Sequence, residues 1–368
     1  MHRQYQTDDL PQPPRFALLA CGGAILILGV LGGLWRLGWE PLLPGTEPAT
    51  FHGALMIAGF FGTLVGLERA VAEGFKRGWL APLLTGIGGL ATAFGAPHLF
   101  SAATLLAGSA ALAAIAFGAW RRAPAAHQLL LLTGTLCGVA GNGLWLAGFP
   151  ASEAVAAWTG FLVLTIAGER LEVSHLRLPS PGALKLLAAA AALYIAGAAA
   201  LPLHWQAGTV LVGAGMACLS FWFLFNDIAS RNLRHHGQVR FTAVCVMVGY
   251  AWLALGGLLL PFAAQGGLIY DAALHAVFLG FVFAMAFGHA PVVFPTVLRV
   301  AIPYSPIFYG HLVLLNATLM LRLAGDLLAR EGLRAWGGAG NAAALALFAL
   351  VMVGSVLRAR RGAAQGLQ

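Results

Sequence analysis

Residues 186–226 read LLAAAAALYIAGAAALPLHWQAGTVLVGAGMACLSFWFLFN, without one Asp, Glu, Lys or Arg in the run. A helix needs about 20 apolar residues to cross a bilayer, so this stretch holds two crossings, and Pro202 marks the turn between them. Inside lipid each segment must satisfy its own backbone amides, which makes both halves helices. Working outward with a window of about 19 residues gives spans at 15–38, 48–69, 78–96, 99–120, 127–148, 152–174, 183–201, 204–226, 239–261, 267–289, 304–328 and 338–357. Pro44 with Gly45, Pro124, Pro150, Pro179 with Pro181, and Pro303 with Pro306 separate the others.

The whole composition agrees with that stretch. Of 368 residues, 60% are hydrophobic and 9% charged, with mean hydropathy +0.82, whereas a soluble domain carries about 25% charged residues. The expectation is an all-α polytopic membrane protein. A single twelve-helix domain over 15–357 lies between a cytoplasmic N-terminal tail, 1–14, and a basic cytoplasmic C-terminal tail, 358–368. The first apolar run has no small-residue cleavage site and reads as a span, not as a signal peptide. Cys21, Cys137, Cys218 and Cys245 fall inside spans without metal-ligand spacing, and read as small apolar side chains.

Cytoplasmic loops retain Lys and Arg. With the N-terminus inside a bacterial inner membrane, all of the 21 Lys and Arg except Arg36, Arg322, Arg330 and Arg334 fall on the cytoplasmic side. The net charge of +8 is thus distributed between spans, not gathered on a stripe for nucleic acid. Three of the four exceptions cluster at or after span eleven, and that placement needs a reason.

Spans two, six and ten share a pattern. Gly59-Phe60 precedes Glu68-Arg69, Gly160-Phe161 precedes Glu169-Arg170, and Gly280-Phe281 precedes His289, each polar residue at the same interval from its glycine. Copies four spans apart suggest three four-helix units about a pseudo-threefold axis.

Polar groups inside spans are expensive and are site candidates by default. His52 opens span two and His275 lies in the first turns of span ten, both ~5–12 Å below the outer boundary at about 1.5 Å per residue. Two imidazoles at one depth on equivalent helices could ligate one haem iron from opposite faces. Small neighbours (Gly53, Ala54 and Ala58; Ala272, Ala273 and Ala276) leave room for a flat macrocycle, and equally let membrane helices approach one another. Haem propionates need cationic partners, which Arg322, Arg330 and Arg334 would supply. Arg322 also stands one turn from Asp326, and Arg330 beside Glu331, spacings that suit ion pairs. At the inner end Glu68, Glu169, His289 and His311, with His175 nearby, could hold a divalent metal such as copper or relay a proton. Glu68 beside Arg69 and Glu169 beside Arg170 read equally as ion pairs at cytoplasmic helix ends. His98, His127, His204, His235 and His236 lie at span ends or in a basic loop and are expected in solvent.

The twelve-span, N-inside plan, the histidine of span two in His52-Gly53-Ala54-Leu55-Met56, the histidine of span ten and the arginines between spans eleven and twelve resemble the membrane subunit of the haem–copper oxidase superfamily. The stretch 271–322, with His275-Ala276, Gly288-His289 and the closing Arg322, together with the His52 segment, is more similar to the NnrS family of haem- and copper-containing membrane proteins linked to nitric oxide stress. The resemblance implies haem b on His52 and His275, propionate contacts near Arg330 and Arg334, and a redox protein or quinone as partner in the lipid bilayer. It also exposes departures. The oxidases place a histidine in span six, a histidine pair after it and two nearly adjacent histidines in span ten. Here span six has none before His175, span seven has none, and span ten has one near its outer end, so a site for reducing oxygen or nitric oxide is missing. A cofactor-free transporter or channel is the competing expectation. It would be marked by broken helices near mid-membrane, for which residues 86–89 and 138–143, the latter including Asn142, are candidates.

Overall fold

Each apolar run becomes a helix, and among the described residues there is no strand. The computed structural model describes residues 12–40, 47–74, 76–174 and 179–365; most of the N-terminal tail and His175 lie outside them. In chain order the long helices are α1 (Gln12–Arg36), α2 (His52–Glu73), α3 (Leu80–Ala93), α4 (His98–Arg122), α5 (Ala126–Leu146), α6 (Ala151–Val173), α7 (Pro181–Ala200), α8 (Trp205–Asn226), α9 (Gly237–Leu259), α10 (Leu268–Leu298), α11 (Phe308–Leu327) and α12 (Glu331–Gln365). Ten of these, all but α3 and α11, are long and apolar enough to cross a membrane. The protein is therefore an all-helical, multi-pass membrane protein.

Two helices change their winding. Within α2, Leu55–Phe61 is π-helical, and within α10 so is Ala276–Phe283. The equivalent part of α6 is regular α-helix. The three-copy pattern is thus matched in local conformation by its first and third members only. Helix α10 runs on past residue 289 through Pro291 and Pro295. A proline in a membrane helix is tolerated where neighbouring hydroxyls reach the disturbed turn, and Thr242 of α9 donates to the Gly288 carbonyl at 2.9 Å. Helix α12 also outlasts its expected end at 357. No proline interrupts it there.

The chain divides into two compact units. The first contains α1 to α5 and α6 as far as Gly168. Its helices approach backbone to side chain at glycines: a Cβ on Gly88 would stand 2.7 Å from Leu105 Cγ, and one on Gly141 would stand 2.4 Å from Trp158 Cδ1. Residues 86–89 and 138–143, the candidate breaks, are continuous helix; Gly86, Gly88, Gly89, Gly138 and Gly141 within them are where neighbours press in.

The second unit holds residues 37–39 and everything from Glu169. Here α11 and α12 lie so close that a Cβ on Gly337 would stand 2.5 Å from the Arg322 nitrogen, and one on Gly325 would stand 2.5 Å from that of Arg334. Close approach at small residues is the usual means of membrane helix association, and it sets two arginines side by side.

Candidate functional site

His52 sits on α2 against α1. Its Nδ1 is 2.6 Å from the Gly29 carbonyl, and Gly33 leaves the space its ring occupies, since a Cβ there would be 2.8 Å from Cε1. His275 on α10 is held alike, with Nδ1 2.8 Å from the Asp271 carbonyl and 3.4 Å from Asp271 Oδ1. A carbonyl acceptor requires Nδ1–H, and when the ring is neutral that leaves the lone pair on Nε2, the tautomer that metal-bound histidines adopt. Each histidine is followed within a turn by the π segment, a winding that recurs frequently at functional sites. Gly59-Phe60 and Gly280-Phe281, the dipeptides of the repeat, both fall inside these segments.

Around His275 the second unit gathers four charges. Asp271 accepts from Arg322 at 2.9 Å and from Arg334 at 3.4 Å, and Arg334 also bonds Asp326. The expected Arg322–Asp326 pair along α11 does not form. The glycine-lined approach of α12 brings Arg334 to Asp326, and Arg322 turns to Asp271 instead. Arg330 and Glu331 are exposed and outside the cluster. Two carboxylates balance two guanidiniums, yet two buried atoms have no hydrogen-bond partner: Arg322 Nε, a donor, and Asp326 Oδ2, an acceptor. Next to Arg334, Trp39 donates to the Ala335 carbonyl at 3.1 Å and meets Trp336 edge-on.

A different network lies toward the far end of α10. Arg170 does not form a surface pair with Glu169. It is 4% exposed and grips Asp227 with two bonds, Nε to Oδ2 at 2.9 Å and Nη2 to Oδ1 at 2.8 Å. Tyr250 of α9 donates to the same carboxylate at 2.6 Å, and the Ala229 amide does so at 2.7 Å. His289 closes the network. Its Nδ1–H donates to the Met285 carbonyl at 2.7 Å, and its Nε2 accepts from Arg170 Nη1 at 3.3 Å, so its lone pair faces a guanidinium. His311 lies apart, wholly buried and with both ring nitrogens unpartnered, between the rings of Phe287, Phe348, Phe241 and Phe308. Glu68 is half-buried on α2. Among the described residues no three His, Cys, Asp or Glu are gathered as a metal site would need.

Asp227, Tyr250 and Asp271 were not singled out from the sequence. Asp271 had a signal, its four-residue spacing from His275; Asp227 had none, because an acid at the end of an apolar run is ordinary. Three histidines expected in solvent are engaged: His98 bonds the Trp145 carbonyl at 2.9 Å, His127 is buried, and His204 caps α8.

No curated protein matches the chain. One family model does, that described as Domain of unknown function (DUF8744), over residues 15–357. With nearly the whole chain matched, the protein belongs to this family.

Proposed function

We propose that this protein is an integral membrane haem protein of the NnrS or haem–copper-oxidase-like type, with one haem b that His52 and His275 would hold. The observation that carries the reading is the paired seating: two histidines, each with Nδ1–H tied to a carbonyl, each leading into a π segment. The residues fit the group. Two imidazoles suit haem iron, and Arg322 Nε is a buried donor still lacking an acceptor, as a propionate would provide. When bound, haem would supply one-electron redox chemistry, and two histidine donors to its iron would favour that over binding a gas. Electron transfer to a redox protein or quinone therefore suits this donor set better than turnover of a gas. In this reading the chain crosses a bacterial inner membrane twelve times in three four-helix units with both termini cytoplasmic. Its role lies in electron transfer, nitric oxide stress or the handling of haem or copper. Within these limits the chain's own groups act as follows: Asp271 orients His275 and, with Asp326, balances the two arginines, while Gly29 fixes His52.

Purified protein, expressed with haem supplied, should show sharp reduced-state visible bands that vanish in His52→Ala and in His275→Ala. Gly33→Ala should weaken them with both histidines present, because the methyl displaces the His52 ring. Iron should be stoichiometric, and copper measured on the same sample reports on Glu68, Glu169, His289 and His311. A colourless wild type would leave the cofactor-free transporter or channel, a reading that has lost its broken helices but keeps the buried polar groups.

A further inference from the structure

The connection from α8 into the first turn of α9, residues 228–240, carries Arg231, Arg234 and Arg240 with His235 and His236, all exposed, and no carboxylate. The nearest acid, Asp227, is buried and engaged by Arg170 and Tyr250, so its charge is spent inward. It also ties down the start of the loop. Its Oδ1 accepts from the Ala229 amide at 2.7 Å, and Ser230 donates to its backbone carbonyl at 3.1 Å. Further on, the Arg234 and His235 amides donate to the carbonyls of Arg231 and Asn232, both at 3.1 Å. The guanidiniums therefore stand on an ordered turn, which lowers the entropy lost when a ligand is gripped.

Orientation in the membrane does not account for this composition. The rule that keeps Lys and Arg in cytoplasmic loops is nearly indifferent to Asp and Glu, so it demands neither the missing carboxylates nor a set of cations that are all arginine. In the first unit, by contrast, Arg122 has Glu73 as its partner. Arginine's planar fork matches the oxygens of a phosphate.

The neighbours of these arginines say where such a phosphate would come from. Leu233 and Val239 are exposed among them, and Phe225, 83% exposed, precedes them. Apolar side chains interleaved with arginines at the ends of two membrane-crossing helices suit the boundary between acyl chains and headgroups. A face turned to bulk water would not carry them. Tyr304 and Tyr309 stand beside the start of α9: a Cβ on Gly237 would be 3.7 Å from Tyr304 Cδ1, and Phe241 meets Tyr309 edge-on with ring centres 5.2 Å apart. Tyrosine, apolar at one end and polar at the other, is enriched at that same boundary.

We propose that this loop binds the phosphate of an anionic phospholipid, held by Arg231, Arg234 and Arg240 while Leu233 and Val239 rest against the acyl chains. The site belongs to the second unit alone and is independent of the haem reading.

The test is thermal unfolding of the full-length protein in a non-ionic detergent, with added phosphatidylglycerol, phosphatidylcholine of the same chain length, or inorganic phosphate. Phosphatidylglycerol should raise the midpoint by several degrees over phosphatidylcholine, and inorganic phosphate should not. The triple variant Arg231→Gln, Arg234→Gln, Arg240→Gln should lose most of that rise. Arg358→Gln, Arg360→Gln, Arg361→Gln, which removes the same charge from exposed positions near the end of α12, should keep it. If the loop variant fails to fold, Arg234→Gln alone should retain less phosphatidylglycerol than wild type when bound lipids are counted by native mass spectrometry. Equal midpoints in the two lipids, an equal rise from inorganic phosphate, an equal loss in both triple variants, or unchanged retention in Arg234→Gln would overturn the proposal.

Discussion

Arg170 shows how much one residue's role depends on partners distant in sequence. Next to Glu169 it reads as half of a cytoplasmic ion pair. In the fold it is buried against Asp227, 57 positions away, with Tyr250 and His289 completing the shell. Removing one partner of a buried pair costs about 3–5 kcal/mol, because the other charge is left uncompensated, while replacing both by apolar groups is often close to neutral. Arg170→Ala should therefore lower the unfolding midpoint sharply, and Arg170→Met combined with Asp227→Leu should recover most of the loss. Tyr250→Phe, which removes one bond to a charged acceptor, should cost about 1.5–3 kcal/mol. Denaturant titration followed by tryptophan fluorescence would measure all three; a double variant no better than the single would show that the pair does more than balance charge. Arg322 teaches the same lesson. Its neighbour Asp326 was visible in the sequence, but Arg334, brought in by Gly325 and Gly337, takes that acid. Hydropathy locates a charge in a span and is silent on which of two acids it reaches.

At the scale of the element, helix positions were legible because an apolar run bounded by prolines has few other uses. The π segments were not, since Leu55–Phe61 and Ala276–Phe283 are uniformly apolar and one extra residue per turn leaves no trace in such a run. Glycines were ambiguous in the same way. In α5, Gly141 and Gly143 look alike in the sequence, yet a Cβ on Gly141 would collide with Trp158, while one on Gly143 meets nothing within 4 Å. Gly143→Ala should be neutral or stabilising by up to about 1 kcal/mol, from the smaller entropy lost on folding. Gly141→Ala should be destabilising by about 1–3 kcal/mol, the usual cost of overpacking, and should also disturb the Trp158–Asn142 bond. The difference in unfolding midpoint between these two variants is the readout, and equal midpoints would mean that α5 and α6 are not packed this tightly.

For the molecule as a whole, the open question is the number of crossings, and it turns on α3 and α11. Helix α3 has 14 residues, ~21 Å at about 1.5 Å each, short of a hydrocarbon core of about 30 Å. The preceding 3-10 turn, Lys76–Trp79, adds the apolar Gly78 and Trp79, ~4 Å at about 2.0 Å per residue, and a short span is accommodated by local thinning of the bilayer. Helix α11 has 20 residues, ~30 Å by the same rise, and fails only on apolarity. Its polar groups, His311, Arg322 and Asp326, are buried, while Val313, Met320 and Leu327 are exposed, so the surface it offers to lipid is apolar although its average is not. Both helices should therefore cross. The location of the C-terminus cannot decide this, because losing both crossings returns it to the same side. Single cysteines placed at Phe94, Ala123 and Leu328 can. With the N-terminus inside, an impermeant thiol reagent on intact cells should label Phe94→Cys and Leu328→Cys and spare Ala123→Cys. If α3 stays on one side, Phe94→Cys is protected and Ala123→Cys reacts; if α11 does, Leu328→Cys is protected and the C-terminus moves outside. Each failure has its own signature, so the labelling pattern reads the two helices separately.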